Sequence, residues 1–169
     1  MDERAFEELF RAHYATLASF AVRYVRDSAR AEELVQDLFA DLWMRRATWE
    51  PRPGSERAYL LAAVRNRALN LRKRQAAEQD WEREEASGDV RELHPRPTPA
   101  DQILEAAELE QHLHAALDSL PERCRLVMHL RWRQRLSYAE IAEIMEISVK
   151  GVENQLARGL KALREKLLP

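Results

Sequence analysis

The chain has 169 residues and a formal net charge of −2. That is enough for one ordinary domain or two small ones, and too little charge to draw nucleic acid by bulk attraction. A single cysteine, Cys124, excludes an intrachain disulfide and a cysteine-based zinc site. No apolar run approaches the ~18 residues of a membrane span. The acidic start MDERAFEELF also lacks the basic and apolar zones of a signal peptide. The expectation is a cytosolic protein without membrane insertion.

In chain order the pattern is helical almost throughout, with no strand pattern and no internal repeat. Phe6, Leu9, Phe10, Leu17, Phe20, Ala21 and Tyr24 recur at helical spacing and predict a first amphipathic helix. Asp27 or Ser28 can cap a second, whose buried side carries Leu34, Val35, Leu38, Phe39, Leu42 and Trp43. Its outward side carries Glu32, Glu33, Gln36, Asp37 and Asp41. Such a stripe is either a solvated face or a docking surface for a basic protein.

Residues 45–56 form a loop with Trp49, two prolines and Gly54. A third helix follows from about Arg57 to Arg74, burying Leu60, Leu61, Val64 and Leu69. Late in its course come Arg65, Asn66, Arg67, Asn70, Arg72, Lys73 and Arg74. Asparagine is a poor helix former, and Asn66 and Asn70 lie four apart on one face. Their amides suit the edge of an unpaired base, with Trp49 as a stacking surface and the cations as phosphate clamps.

Residues 75–98 are acidic, nearly free of periodic apolar residues, and end in alternating prolines. This composition predicts a flexible linker. Thr98-Pro99 then starts a helix carrying Ile103, Leu104, Ala107, Leu113, Ala116 and Leu117. Ser119-Leu120-Pro121-Glu122 starts another that holds Leu126, Val127, Leu130 and Trp132.

From Ser137 the signals are sharper. Ser137 and Glu140 form a capping box, with Leu136 and Ile141 as a hydrophobic staple. The pattern resets at Glu146-Ile147-Ser148, where Ser148 caps a longer helix and Ile147 and Val152 make a second staple. Ala142 is small enough for a close helix crossing. Two helices joined by a tight turn predict a helix-turn-helix, which lays its second helix in the DNA major groove. Ser148, Lys150, Asn154, Gln155, Arg158 and Lys161 are its candidate phosphate and base contacts. Glu146 occupies a turn position that glycine would fill more easily, and Glu153 places an anion on the DNA face.

Charge is distributed in blocks. Residues 1–44 carry a net −4, 45–77 a net +7, 78–118 a net −9 and 119–169 a net +4. Two basic blocks around an acidic one suggest two nucleic-acid contacts joined by a connector that avoids nucleic acid. The five histidines are scattered or point apart, and the four glycines form no phosphate-cradling loop. No nucleophile motif occurs, so the expectation includes no catalytic residue, metal or cofactor.

Taken together, AEELVQDLFADLW, AVRNRALNLRKR and LPERCRLVMHLRWRQRLSYAEIAEIMEIS occur in an order that resembles a bacterial sigma-70-family factor of the extracytoplasmic-function group. The resemblance implies an all-α fold of two small helical domains joined by a flexible acidic linker. Residues 1–75 would then be a region 2-like domain, 76–98 the linker and 99–169 a region 4-like domain containing the helix-turn-helix. It further implies a dissociable subunit of RNA polymerase that melts the −10 element and reads the −35 element. Glu33, Gln36, Asp37 and Asp41 would meet the core polymerase. Trp49, Arg65, Asn66, Asn70, Arg72 and Lys73 would meet the −10 strand. The implied partners are core RNA polymerase, through its clamp helices and flap, promoter DNA, and an anti-sigma factor. A helix-turn-helix regulator that binds duplex DNA without polymerase is the alternative reading, and a helical interaction protein with no nucleic-acid role a further one.

Overall fold

The computed structural model describes residues 1–49, 54–85 and 104–167, with side chains described outside 78–85 and 104–110. Among these residues there are seven α-helices and no strand. The chain divides into two compact units, whose bodies are Met1–Ala86 and Ser87–Ala142 with Glu146–Pro169.

The first unit contains α1 (Glu3–Val25), α2 (Ser28–Met44) and α3 (Glu56–Glu85). Asp2 caps α1 by accepting from the Ala5 N–H at 2.8 Å. The helix ends at Arg26, whose left-handed backbone (φ 53°) returns its N–H to the Val22 carbonyl. Asp27 follows at once and caps α2, accepting from the Arg30 N–H at 3.1 Å. A stop and a start in adjacent residues make the corner tight enough for α1 and α2 to pack side by side.

Leu17 and Phe20 from α1, Val35, Leu38 and Leu42 from α2, and Leu60, Leu61, Val64 and Ala68 from α3 form the core, all essentially inaccessible. Each large aliphatic or aromatic side chain so buried contributes about 1.5–3 kcal/mol, which outweighs any surface ion pair of the unit. Leu69 is only half-buried, and Ala68 takes the inward place expected for it. Toward the start of α1, Phe6 and Phe10 meet Phe39 and Trp43 edge-on, at centroid distances of 4.8–6.0 Å.

α3 overturns part of the linker expectation. It ends at Glu85 and not at Arg74, so residues 76–85 are helical. The reason lies in QAAEQDWEREE: alanine, glutamine, glutamate and arginine propagate a helix already nucleated by packing, even with no apolar face of their own. The rest of the expected linker, 86–98, and the expected helix start at Thr98-Pro99 lie outside the described residues.

The second unit contains α4 (Leu104–Asp118), α5 (Glu122–Met128), a π-helical turn (His129–Arg133), α6 (Tyr138–Met145) and α7 (Val149–Leu167). α5 packs on α7, and at Gly159 of α7 a Cβ would run into Met128 Sδ. Gly159 therefore makes room for the Met128 side chain in this packing, a position that helical spacing did not single out. In the π turn, the Gln134 N–H reaches the His129 carbonyl at 3.1 Å and the Leu136 N–H reaches Leu130 at 3.1 Å. This turn breaks the single helix expected after Pro121 and leaves Trp132 half exposed, whereas its spacing had suggested a core position.

Candidate nucleic-acid and protein interfaces

The helix-turn-helix forms as its caps dictate. Ser137 N–H donates to Glu140 Oε2 at 2.7 Å and Glu140 N–H donates to Ser137 Oγ at 3.2 Å, closing the capping box. Gly151 N–H donates to Ser148 Oγ at 2.9 Å and starts α7. Between the two helices Glu146 sits at φ 53°, the left-handed conformation its place in the turn requires. Ile141 and Val152 are fully buried and hold the corner.

On α7, Ser148, Lys150, Asn154, Arg158 and Lys161 are exposed. Two expected contacts are occupied locally. Lys150 Nζ lies 2.8 Å from Glu153 Oε2, and that hydrogen bond, then the carboxylate charge, raises the lysine pKa. Gln155 turns inward, its Oε1 accepting from the Cys124 thiol at 2.9 Å. It is a half-buried link between α5 and α7, and its carbonyl oxygen is not offered to a base. Burial pushes the Cys124 pKa up, partly offset by the charge of Arg158, so the thiol stays protonated as the donor in this bond. Lys161 stands 3.9 Å from Glu165.

On α2, Glu32, Glu33, Gln36, Asp37 and Asp41 all face solvent. Gln36 Nε2 donates to the Tyr14 hydroxyl at 3.4 Å. Asp41 differs from its neighbours: it binds the Arg67 guanidinium and ties α2 to α3. That hydrogen bond, then the Arg67 charge, holds the Asp41 carboxyl below the usual carboxylate range. Asp41 is therefore a brace between helices and no free contact.

On α3, Arg65 is 8% exposed and its Nη1 donates to Asn66 Oδ1 at 3.1 Å. A guanidinium so placed orients Asn66 from below and is not displayed to a phosphate. Asn66, Asn70, Arg72 and Lys73 are exposed. Tyr59, 41% exposed, lies two helical turns before Asn66, so α3 carries Tyr59, Asn66, Asn70 and Lys73 along one stripe. Trp49 packs against Tyr59 with ring centroids 5.8 Å apart. Sequence reasoning found Trp49 and missed Tyr59, although an aromatic in the first turn after the loop was a usable signal.

A cleft of about 240 Å³ runs between α2 and α3. Leu34 and Leu71 contribute apolar wall to it, and its polar lining includes Arg30, Glu33 and Asp37 from α2 and Arg67, Asn70 and Arg74 from α3. It joins residues expected at two separate sites. Among the described residues no group of histidine, cysteine and carboxylate side chains could hold a metal, and no helix is long and apolar enough to cross a membrane.

Residues 9–78 match the Sigma-70 region 2 family and residues 110–163 match Sigma-70, region 4. The chain is 30% identical to the extracytoplasmic-function sigma factor SigX of Bacillus subtilis over 170 aligned residues, covering 96% of this chain and 84% of SigX. It is 28% identical to SigK of Mycolicibacterium vanbaalenii, covering 97% of this chain and 82% of SigK. In fold it is similar to the sigma factor RpoE solved with the anti-sigma factor NepR from Bartonella quintana, at TM-score 0.68, 20% identity and 97% of each chain. With both regions present, in order, and a relative matched along nearly its whole length, this chain belongs to the extracytoplasmic-function group of the sigma-70 family, the promoter-directing subunits of RNA polymerase.

Proposed function

We propose that the α1–α3 unit docks on core RNA polymerase through the outward face of α2 and holds the −10 strand along α3. On this reading α6 and α7 bind the −35 duplex. One contrast carries the division of labour. α2 presents Glu33 and Asp37 as carboxylates with no hydrogen-bond or ion-pair partner among the described residues, whereas α7 presents Asn154, Arg158 and Lys161 beyond a correctly capped turn. Carboxylates repel phosphate and suit a basic protein surface; amides and cations suit DNA.

Strand capture needs a ring to stack on and an amide to read an edge, because melting costs about 1.4 kcal/mol per base-pair step and must be offset by trapping the bases. The Trp49–Tyr59 pair supplies the ring, Asn66 the amide, and Arg72 and Lys73 the phosphate contacts. In the polymerase the clamp helices would meet α2 and the flap would meet the second unit. The likeness in fold to a factor solved with an anti-sigma protein supports a partner of that kind here. Run-off transcription with purified core polymerase on a promoter library tests the proposal. Transcripts that select a −10 and a −35 sequence are expected. Binding of duplex DNA with no polymerase-dependent transcript would overturn it in favour of a stand-alone regulator.

A further inference from the structure

Charge in the second unit is matched unevenly. On α7, Lys150 and Lys161 stand beside Glu153 and Glu165. In the stretch that leads into α6, RWRQRLS, three arginines occur with no acidic residue among them. One of the three is held by the fold. Arg131 Nη1 donates to the Leu136 carbonyl at 2.9 Å, and its guanidinium lies over the Tyr138 ring, 5.2 Å from the centroid. Arg133 and Arg135 are exposed, and neither guanidinium has a hydrogen-bond or ion-pair partner among the described residues. The next carboxylate along the chain, Glu140, is engaged in the capping box with Ser137.

Their placement narrows the partner. Gln134 and Leu136 are buried, so the segment alternates, and Arg133 and Arg135 stand outward on either side of Gln134. The Arg131 contacts tie this segment to Tyr138, the first residue of α6. Arg135 also has a left-handed backbone, φ 52°, which glycine enters without steric cost and arginine does not. The backbone gains nothing from an arginine here, so it is the side chain that needs a reason. In a helix-turn-helix whose second helix fills the major groove, the first crosses the sugar–phosphate backbone. That crossing brings the entry to α6 toward the phosphates beside the groove. A guanidinium presents a planar fork of donors that matches phosphate oxygens two at a time.

We propose that Arg133 and Arg135 clamp backbone phosphates of the duplex outside the bases that α7 reads, and supply charge attraction that the matched lysines of α7 do not. The inference rests on the −35 reading proposed above for α6 and α7. Phosphate contacts carry no sequence information, so this pair sets the register and salt dependence of promoter binding and not its base preference.

The test uses the full chain assembled with purified core polymerase, on a promoter fragment selected by run-off transcription. Arg135→Gly, which suits the left-handed backbone, and Arg133→Ala should both melt near the wild-type temperature. Each should lower the salt slope of promoter binding by about 0.9, so that the wild-type advantage shrinks about threefold between about 50 and 200 mM salt. Base preference at −35 should not change. Arg123→Ala, which removes the same charge from α5, should leave the slope as it was. Neutral methylphosphonates placed one at a time around the −35 element locate the contact. At one or two positions the wild type should weaken severalfold and Arg135→Gly should not. Equal weakening of both proteins at every position, or an unchanged slope in both variants, would overturn the proposal. Lost affinity for core polymerase with the slope unchanged would also overturn it, and would make the pair a protein contact. If the wild type binds equally well to a promoter with a scrambled −35 element, the −35 reading itself fails, and the clamp with it.

Discussion

α2 and α7 are both two-faced helices, apolar toward their own cores and charged outward, yet they treat their charges in opposite ways. Along α7, Lys150 is held by Glu153 and Lys161 stands near Glu165. Two of its five cations are thereby matched to carboxylates. Along α2, Asp41 alone is braced, and Glu33 and Asp37 are left unpaired among the described residues. Self-neutralisation weakens long-range attraction and leaves recognition to short-range geometry, which is consistent with the −35 reading proposed for α7. Unpaired carboxylates beside an apolar wall store attraction for a partner. On the proposed division of labour, α2 is therefore expected to be electrostatically strong and α7 weak.

Five variants sharpen or break that contrast. Asp37→Arg should have the largest effect, abolishing detectable holoenzyme while the helical circular dichroism signal persists. Losing one partner of a buried, bonded charge pair costs about 2–5 kcal/mol, and reversal adds repulsion. Unchanged affinity for core polymerase would show that α2 does not dock.

Next comes Gly159→Leu, which forces a side chain into the place of Met128 and should destabilise the second unit by about 1–3 kcal/mol. Thermal melting of that unit and loss of −35 binding are the readouts, with polymerase binding through α2 retained. Loss of both functions together would mean that the two units do not act separately.

On α7 the effects should be smaller and of opposite sign. Arg158→Ala should weaken −35 binding and lower the salt slope by about one. Glu153→Gln should strengthen binding a few-fold and steepen the slope, because it frees Lys150 and removes an anion. If Glu153→Gln instead weakens binding, Glu153 is itself a base contact.

The smallest effect concerns Asp41→Asn, which should lower the melting temperature of the first unit slightly without changing polymerase affinity. Because the folded Asp41 pKa is depressed, its pairing with Arg67 contributes above the unfolded pKa and is lost as pH falls through the folded value. The difference between wild type and Asp41→Asn should therefore vanish in acid, below the usual carboxylate range. An equal difference at every pH would mean that charge is irrelevant to the brace.

What the sequence by itself determined is what short-range chemistry determines. Asp27, Ser137, Glu140 and Ser148 announced three helix starts because a cap needs only a side chain and an N–H three residues away. The inward stripes of α1 and α2 and the exposure of Asn66, Arg158 and Lys161 followed from helical period. Tertiary structure decided whatever depends on which groups are brought together. Asp41 is a brace because α3 brings Arg67 to it, twenty-six positions away; Gln155 turns inward because α5 places a thiol there; Gly159 makes room because the Met128 side chain arrives beside it. The cleft between α2 and α3 is likewise a property of two helices at once, and its lining includes Asn70 as well as Glu33 and Asp37. Period and capping act within a few residues, whereas the partner of a charged side chain is chosen by packing between elements, where one contact decides whether a residue is offered to a ligand or spent on the fold.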